Sequence, residues 1–152
     1  MIKFAVENIE DIIEELKPLT EAHWEEIALN KDNIKLNPDW ERYKMLSKCG
    51  MLQLVTARIE GKLIGYCCDI IATSLHYSDH LFAVNDVLFL HHDHRKGKNA
   101  IALLKFVENE LKKRNASVHY LHMKIEHDFE SLAQYLGYKK VEYNYSKFLG
   151  GL

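Results

Sequence analysis

Residues 81–114 limit the possible folds more than any other stretch. An apolar run reaching Leu90 meets a short basic turn, and a long amphipathic pattern begins at once. The run 81–90 reads as a strand. Over 99–114 the spacing predicts a helix with Ala100, Leu103, Leu104, Val107 and Leu111 on one stripe, the pattern of a face packed on a sheet. A second strand is predicted at 118–125. Strand, crossing helix and strand make the two strands parallel, because the helix carries the chain back to the end where the first strand began.

The remaining punctuation builds a sheet around that unit. A strand is expected at 2–6, a helix at 9–16 ended by Pro18, a second helix at 21–30, and a third at 39–48 after Pro38. Strands at 51–59 and 62–72 are joined by Glu60-Gly61, a hairpin signal. A short helix is predicted at 128–136. Residues 139–148 alternate, with Val141, Tyr143 and Tyr145 on one side, and read as a last strand. The fold class is therefore α/β (α+β), one domain over residues 1–152, with a mixed, mostly antiparallel twisted sheet and helices on both faces.

The turn before the long helix carries chemistry as well as shape. Arg95, Lys96 and Lys98 sit at a helix start, where the helix dipole disfavours cations by roughly a few tenths of a kcal/mol each. Lys112, Lys113 and Arg114 stand at the other end, where the dipole welcomes them. Unpaired N–H groups beside Gly97 and fixed positive charge form a seat for phosphate; a solvated basic turn is the alternative.

Other classes are excluded more simply. A net charge of −2 argues against general nucleic-acid binding. No apolar run reaches the roughly 18 residues of a membrane span. The first residues turn acidic at Glu7 where a secretory signal would stay apolar, so a cytoplasmic protein is expected. Cys67 and Cys68 are strand neighbours facing opposite sides and, with Cys49, read as reduced thiols. His91, His92, Asp93 and His94 are good ligand types, but they crowd one turn without distant partners, so no metal is expected.

The spelling Arg95-Lys96-Gly97-Lys98-Asn99-Ala100, with Ile101 to Phe106 after it, resembles the pyrophosphate loop of the GNAT N-acetyltransferase superfamily. Upstream, Leu88-Phe89-Leu90-His91-His92-Asp93-His94 resembles that family's strand and turn. Downstream, Tyr135-Leu136-Gly137-Tyr138 resembles its closing signature. The likeness covers residues 51–148 and extends to compact acetyltransferases carried by bacterial viruses. One position departs: Lys98 stands where the family's first glycine usually sits, and Gly97 lies one place early. Lys98 is read as having ordinary helical geometry, in which the lysine costs little and adds charge.

The resemblance implies two central parallel strands that splay apart around acetyl-CoA as co-substrate. Backbone groups of Leu88, Phe89 and Leu90 would pair with its pantetheine amides. The N–H groups of Lys96, Gly97, Lys98, Asn99 and Ala100 would take the pyrophosphate, with charge added by Arg95, Lys96 and Lys98. Asp86 is the candidate base, sharing a face with Leu88 and Leu90 by alternation; His91 and His122 are alternatives. The family's acid tyrosine, four residues before the glycine, is Ala133 here, and Tyr135 lies only two before it. Tyr143 and Tyr145 on the last strand are the remaining phenols, and Asp86, His122 and Tyr143 form the expected catalytic set.

The implied function is direct acetyl transfer to a primary amine, on a small molecule or a protein. The alternative is a weak or inactive coenzyme-binding or protein-interaction module of the same fold. In the family the acceptor groove falls at 18–40, near Glu14, Glu15, Glu21, Glu25, Glu26 and Asp32, a set suited to a cationic amine or simply a solvated face. An amine substrate is the expected partner, and a homodimer is left open.

Overall fold

The computed structural model of the chain describes residues 1–151. Its elements are β1 (Lys3–Val6), α1 (Ile9–Ile27), α2 (Trp40–Lys48), β2 (Leu52–Ile59), β3 (Lys62–Thr73), β4 (Leu81–Leu90), α3 (Asn99–Lys113), β5 (Ala116–Tyr120) and α4 (Glu130–Tyr135). The strands lie in the order β1-β2-β3-β4-β5. Three antiparallel pairings are followed by one parallel pairing of β4 with β5, as the crossing helix requires.

Helices cover both faces. On one, Ile9, Ile12 and Leu16 of α1, with Trp40, Tyr43 and Leu46 of α2, pack on Leu54, Tyr66, Cys68 and Phe89. On the other, Leu103, Val107 and Leu111 of α3 pack on Val55, Cys67, Ile71 and Ala83. Burying each aliphatic side chain of that stripe contributes roughly 1.5–3 kcal/mol. Cys67 and Cys68 fall on opposite faces, both buried with free thiols. Burial pushes both thiols well above the usual cysteine range, which keeps them protonated and unreactive.

The hairpin at Glu60-Gly61 forms with both residues at positive φ, 50° and 83°, the geometry that matches the twist of the joined strands. Two expectations fail. Pro18 does not end the first helix: α1 runs from Ile9 to Ile27 with Pro18 inside it. The ring lies on the exposed side, so the carbonyl it leaves unpaired faces water, while Ile12 and Leu16 on the opposite face hold the helix to the sheet. The strand expected at 139–148 does not form either. That segment is exposed along its length, and among the described residues β5 pairs with no strand besides β4. No helix is long and apolar enough to cross a membrane, among the described residues.

Candidate functional site

The site begins with a strand that loses its neighbour. β4 and β5 pair only from Leu81↔Ala116 to Val84↔Tyr120. β4 then continues to Leu90 bonded to β3 alone, through Cys67↔Leu88, Tyr66↔Phe89 and Gly65↔Leu90. The backbone of Leu88, Phe89 and Leu90 therefore presents an open edge toward the gap left by β5. Gly65 makes the fit on the closed side possible. A Cβ there would stand 2.6 Å from the Phe89 carbonyl oxygen, too close for any other residue without moving β4.

The open edge leads to the basic loop. His92–His94 forms one 3-10 turn, Gly97 takes positive φ (69°), and α3 starts at Asn99. Lys98 has φ −97°, so the glycine one place early carries the left-handed geometry and the lysine is unstrained. The Asn99 side-chain amide donates to the His94 carbonyl (2.9 Å) and fixes the loop on the helix. No side chain caps α3, and its first N–H groups remain for an outside acceptor.

Arg95 is differently employed than its place in the loop suggests. Its guanidinium donates through Nη2 to Glu26 Oε2 of α1 (2.6 Å), through Nε to the Leu90 carbonyl (2.6 Å), and lies over the Phe89 ring. The arginine holds Glu26 below the usual carboxylate range. Lys96 and Lys98 are exposed and supply the charge that faces outward.

A cavity of about 370 Å³ opens between α1, α2 and β4. Its walls are aromatic and aliphatic, with Trp24, Trp40, Tyr43, Tyr66 and Ile34 among them, and Asp86 is the one carboxylate lining it. A bulge puts Asp86 there. In the β3–β4 register Cys68 faces Val87 and Asp69 faces Asn85, so Asp86 has no partner. The extra residue reverses the alternation. Asp86 turns from the face of Leu88 toward α2, where the Tyr43 hydroxyl donates to its Oδ2. Burial, then the bond to Asp86, pushes the Tyr43 phenol far up and keeps it protonated. His23 lines the same cavity, its ring 5.4 Å from that of Phe89. Burial lowers its pKa, so it is neutral at neutral pH.

Several expected site residues lie elsewhere. His122 is exposed beyond the end of β5 and in neither cavity wall, because β5 stops at Tyr120. Tyr143 is exposed on the 139–148 segment and lines neither cavity, since the strand meant to carry it does not join the sheet. The cavity is lined largely by residues of 18–40, where the acceptor groove was expected, but none of the six carboxylates named there lines it: Glu15 pairs with Arg58, Glu14 with Lys17, Glu25 with Lys31 and Glu26 with Arg95. The charged residues that line the cavity besides Asp86 are Lys35 and Lys124. Ligand atoms of His91, His92 and Asp93 lie within 4.8 Å of one another, a consequence of one tight turn whose histidines pair with the aspartate.

Tyr43 and His23 went unseen in the sequence. Each sits on a helix where its neighbours in the chain say nothing of β4; the bulge brings Asp86 to Tyr43, and His23 meets Phe89.

No protein-family model matches the chain, and no curated protein matches its sequence. Its fold does match solved structures. A ribosomal-protein-alanine N-acetyltransferase from Brucella melitensis biovar Abortus 2308 superposes with TM-score 0.71 at 20% identity, over 99% of this chain and 100% of that one. An aminoglycoside acetyltransferase from an uncultured soil metagenomic sample gives 0.77 at 14%, over 99% of both chains. A predicted acetyltransferase from Clostridium acetobutylicum, solved with acetyl-CoA, gives 0.75 at 15%, over 98% and 97%. The fold is that of the GNAT N-acetyltransferases.

Proposed function

We propose that the chain is an acetyl-CoA-dependent N-acetyltransferase acting on a primary amine. The observation that carries this reading is the opening of β4 from β5 onto an uncapped helix start, with an aromatic cavity and one carboxylate on the adjoining face. The co-substrate supplies an activated thioester. Leu88, Phe89 and Leu90 would hold its amides as an added strand is held by an open edge, and the N–H groups from Lys96 to Ala100, with the Lys96 and Lys98 side chains, would hold its diphosphate. These residue types and their order fit the group.

Asp86 takes the role of base. With Oδ2 engaged by Tyr43, Oδ1 is the oxygen left to accept a proton from an ammonium entering the cavity. The Tyr43 hydroxyl positions the carboxylate. The neutral amine would then attack the thioester carbon directly; as the C–N bond forms and the C–S bond breaks, the nitrogen would give its second proton to water, and water would protonate the departing thiolate, since Ala133 stands at the position of the family's tyrosine. The cavity's aromatic walls favour an amine borne on an apolar or aromatic body over a highly charged one. Lys35 and Lys124 add a preference for an acceptor that also carries an anionic group.

Isothermal titration with acetyl-CoA, followed by free-thiol release across a panel of aryl- and alkylamines, tests the reading. Binding with turnover supports it. Binding without turnover on any amine replaces it with the coenzyme-binding module, and absence of binding removes both.

A further inference from the structure

The second half of α1 is a wall of the cavity that the core holds only lightly. The fully buried residues of the helix, Ile9, Ile12 and Leu16, all precede Pro18. Pro18 has no N–H to donate to the turn before it, which loosens the joint between the two halves. Beyond it Leu19 is only partly buried, while His23, Trp24 and Ile27 line the cavity. Three contacts fasten this half to the sheet. The Thr20 hydroxyl meets the Tyr66 hydroxyl at 3.0 Å, the His23 ring lies 5.4 Å from that of Phe89, and Glu26 takes the Arg95 guanidinium. Their spacing of three residues places all three on one side of the helix.

The last of these contacts reaches the coenzyme side. The His91 N–H donates to the Ile64 carbonyl of β3 at 2.8 Å. A trans peptide points its C=O opposite to its N–H, so the Leu90 carbonyl faces away from β3, into the gap left by β5. Arg95 Nε donates to that carbonyl at 2.6 Å, while Nη1 and Nη2 hold the two oxygens of Glu26. One guanidinium thus joins the open edge of β4 to the end of α1, and it belongs to the loop that would seat the diphosphate.

We propose that Glu26 is a positioning residue that, through Arg95, ties the acceptor wall of the cavity to the coenzyme loop, so that a diphosphate on the loop shifts the end of α1. The ligand comes from the acetyl-CoA reading, on which this inference rests; the route comes from the three contacts. A ligand moves a structure only through contacts that differ between its states. Here the difference is a competition of two anions, the Glu26 carboxylate and the diphosphate, for one cation. Any change in how Arg95 divides itself between them is felt by Trp24, two residues from Glu26, because the core does not lock that half of the helix.

Trp24 and Trp40 are the two tryptophans of the chain, so Trp40→Phe leaves Trp24 as the one indole reporter. Titration of the full chain carrying that substitution with coenzyme A, followed in parallel by calorimetry and by Trp24 emission, tests the proposal. Calorimetric binding with a saturable emission change at the same midpoint is expected. Glu26→Gln and Glu26→Ala, each added to Trp40→Phe, should lose the emission change while the calorimetric Kd stays within about fivefold, the scale of one partly exposed ion pair. Glu26 stands on the solvent side of the last turn, and thermal melts by circular dichroism check that both variants remain folded. An emission change that survives both variants overturns the coupling, as does calorimetric binding that leaves Trp24 unchanged before Glu26 is altered; in both cases the acetyl-transfer reading stands. Absence of calorimetric binding, in the parent chain as well as in Trp40→Phe, removes that reading and the proposal with it.

Discussion

Asp86 shows how a single inserted residue decides what a side chain can do. Strict alternation puts it with Leu88 under α3, whereas the bulge against Cys68 and Asp69 puts it across the sheet beside Tyr43. Asp86→Asn keeps the size and the hydrogen bond but removes the proton acceptor. It should lower kcat by about 100-fold or more, the usual worth of a general base, with acetyl-CoA affinity unchanged by calorimetry; an unchanged kcat removes Asp86 from the reaction. A bulge has no composition of its own, which is why the strand was legible in the sequence and the direction of the Asp86 side chain was not. Lys98 was legible, since a neighbouring glycine was available to take the positive φ.

The Arg58 cluster carries the clearest dependence on pH. Arg58 bonds Glu7 through Nε (2.7 Å) and Glu15 through Nη1 (2.7 Å), tying β2 to α1 and to the end of β1. Its hydrogen bonds hold the Glu7 and Glu15 carboxyls below their ordinary value of 4.5. A carboxyl that is more acidic in the folded chain than in the unfolded one binds fewer protons when folded. Its stabilisation is complete above the unfolded value and disappears as the pH falls through the lower folded one. Glu7→Gln should therefore lower the urea midpoint more at pH 7 than at pH 3, the offset shrinking as the pH falls below 4.5. An offset that stays equal at both pH values contradicts this origin.

Among the elements, β4 is the one whose two edges matter separately. Its β3 side is pressed so close that Gly65 admits no side chain, and its other side opens where β5 departs. Gly65→Ala forces the Phe89–Leu90 backbone outward, an overpacking that costs typically 1–3 kcal/mol. Because the same backbone would receive the co-substrate, urea stability and acetyl-CoA affinity should fall together. A stable variant with parental affinity would mean that β4 yields without cost. The helices tell a different story about legibility. α3 was readable because its stripe is regular and its last turn carries the cations the dipole welcomes, while α1 was read as two helices because proline is a local breaker whose effect was overridden by packing. The 139–148 segment had the pattern of a strand, but pattern states only which sides match, not where a sheet edge is available.

At the scale of the whole molecule, one polar web crosses the apolar interior and joins the strands on either side of the splay. Asp69 of β3 is 0% exposed, and its Oδ1 accepts from Asn85 Nδ2 of β4 (3.1 Å) and meets His119 Nε2 of β5 (3.0 Å). His119 Nδ1 in turn meets the Tyr138 hydroxyl at 2.7 Å, so the turn after α4 is fastened to the same web. β4 and β5 share few ladder positions, which leaves these side chains to fix the angle at which the two strands part. Asp69→Ala leaves His119 Nε2 without its partner, while Asn85 Nδ2 keeps the Cys68 and Val87 carbonyls, and should cost about 1–3 kcal/mol, the scale for one buried polar group left unsatisfied. His119→Ala should cost less, because Asp69 keeps Asn85. If the web acts as a unit, Asp69→Ala with His119→Ala will be less destabilising than the sum of the two, with a coupling of roughly 0.5–3 kcal/mol in a double-mutant cycle from urea unfolding. Strict additivity would mean that β5 is placed by its short ladder alone, and that the gap beside Leu88–Leu90 is set by the backbone and not by this web.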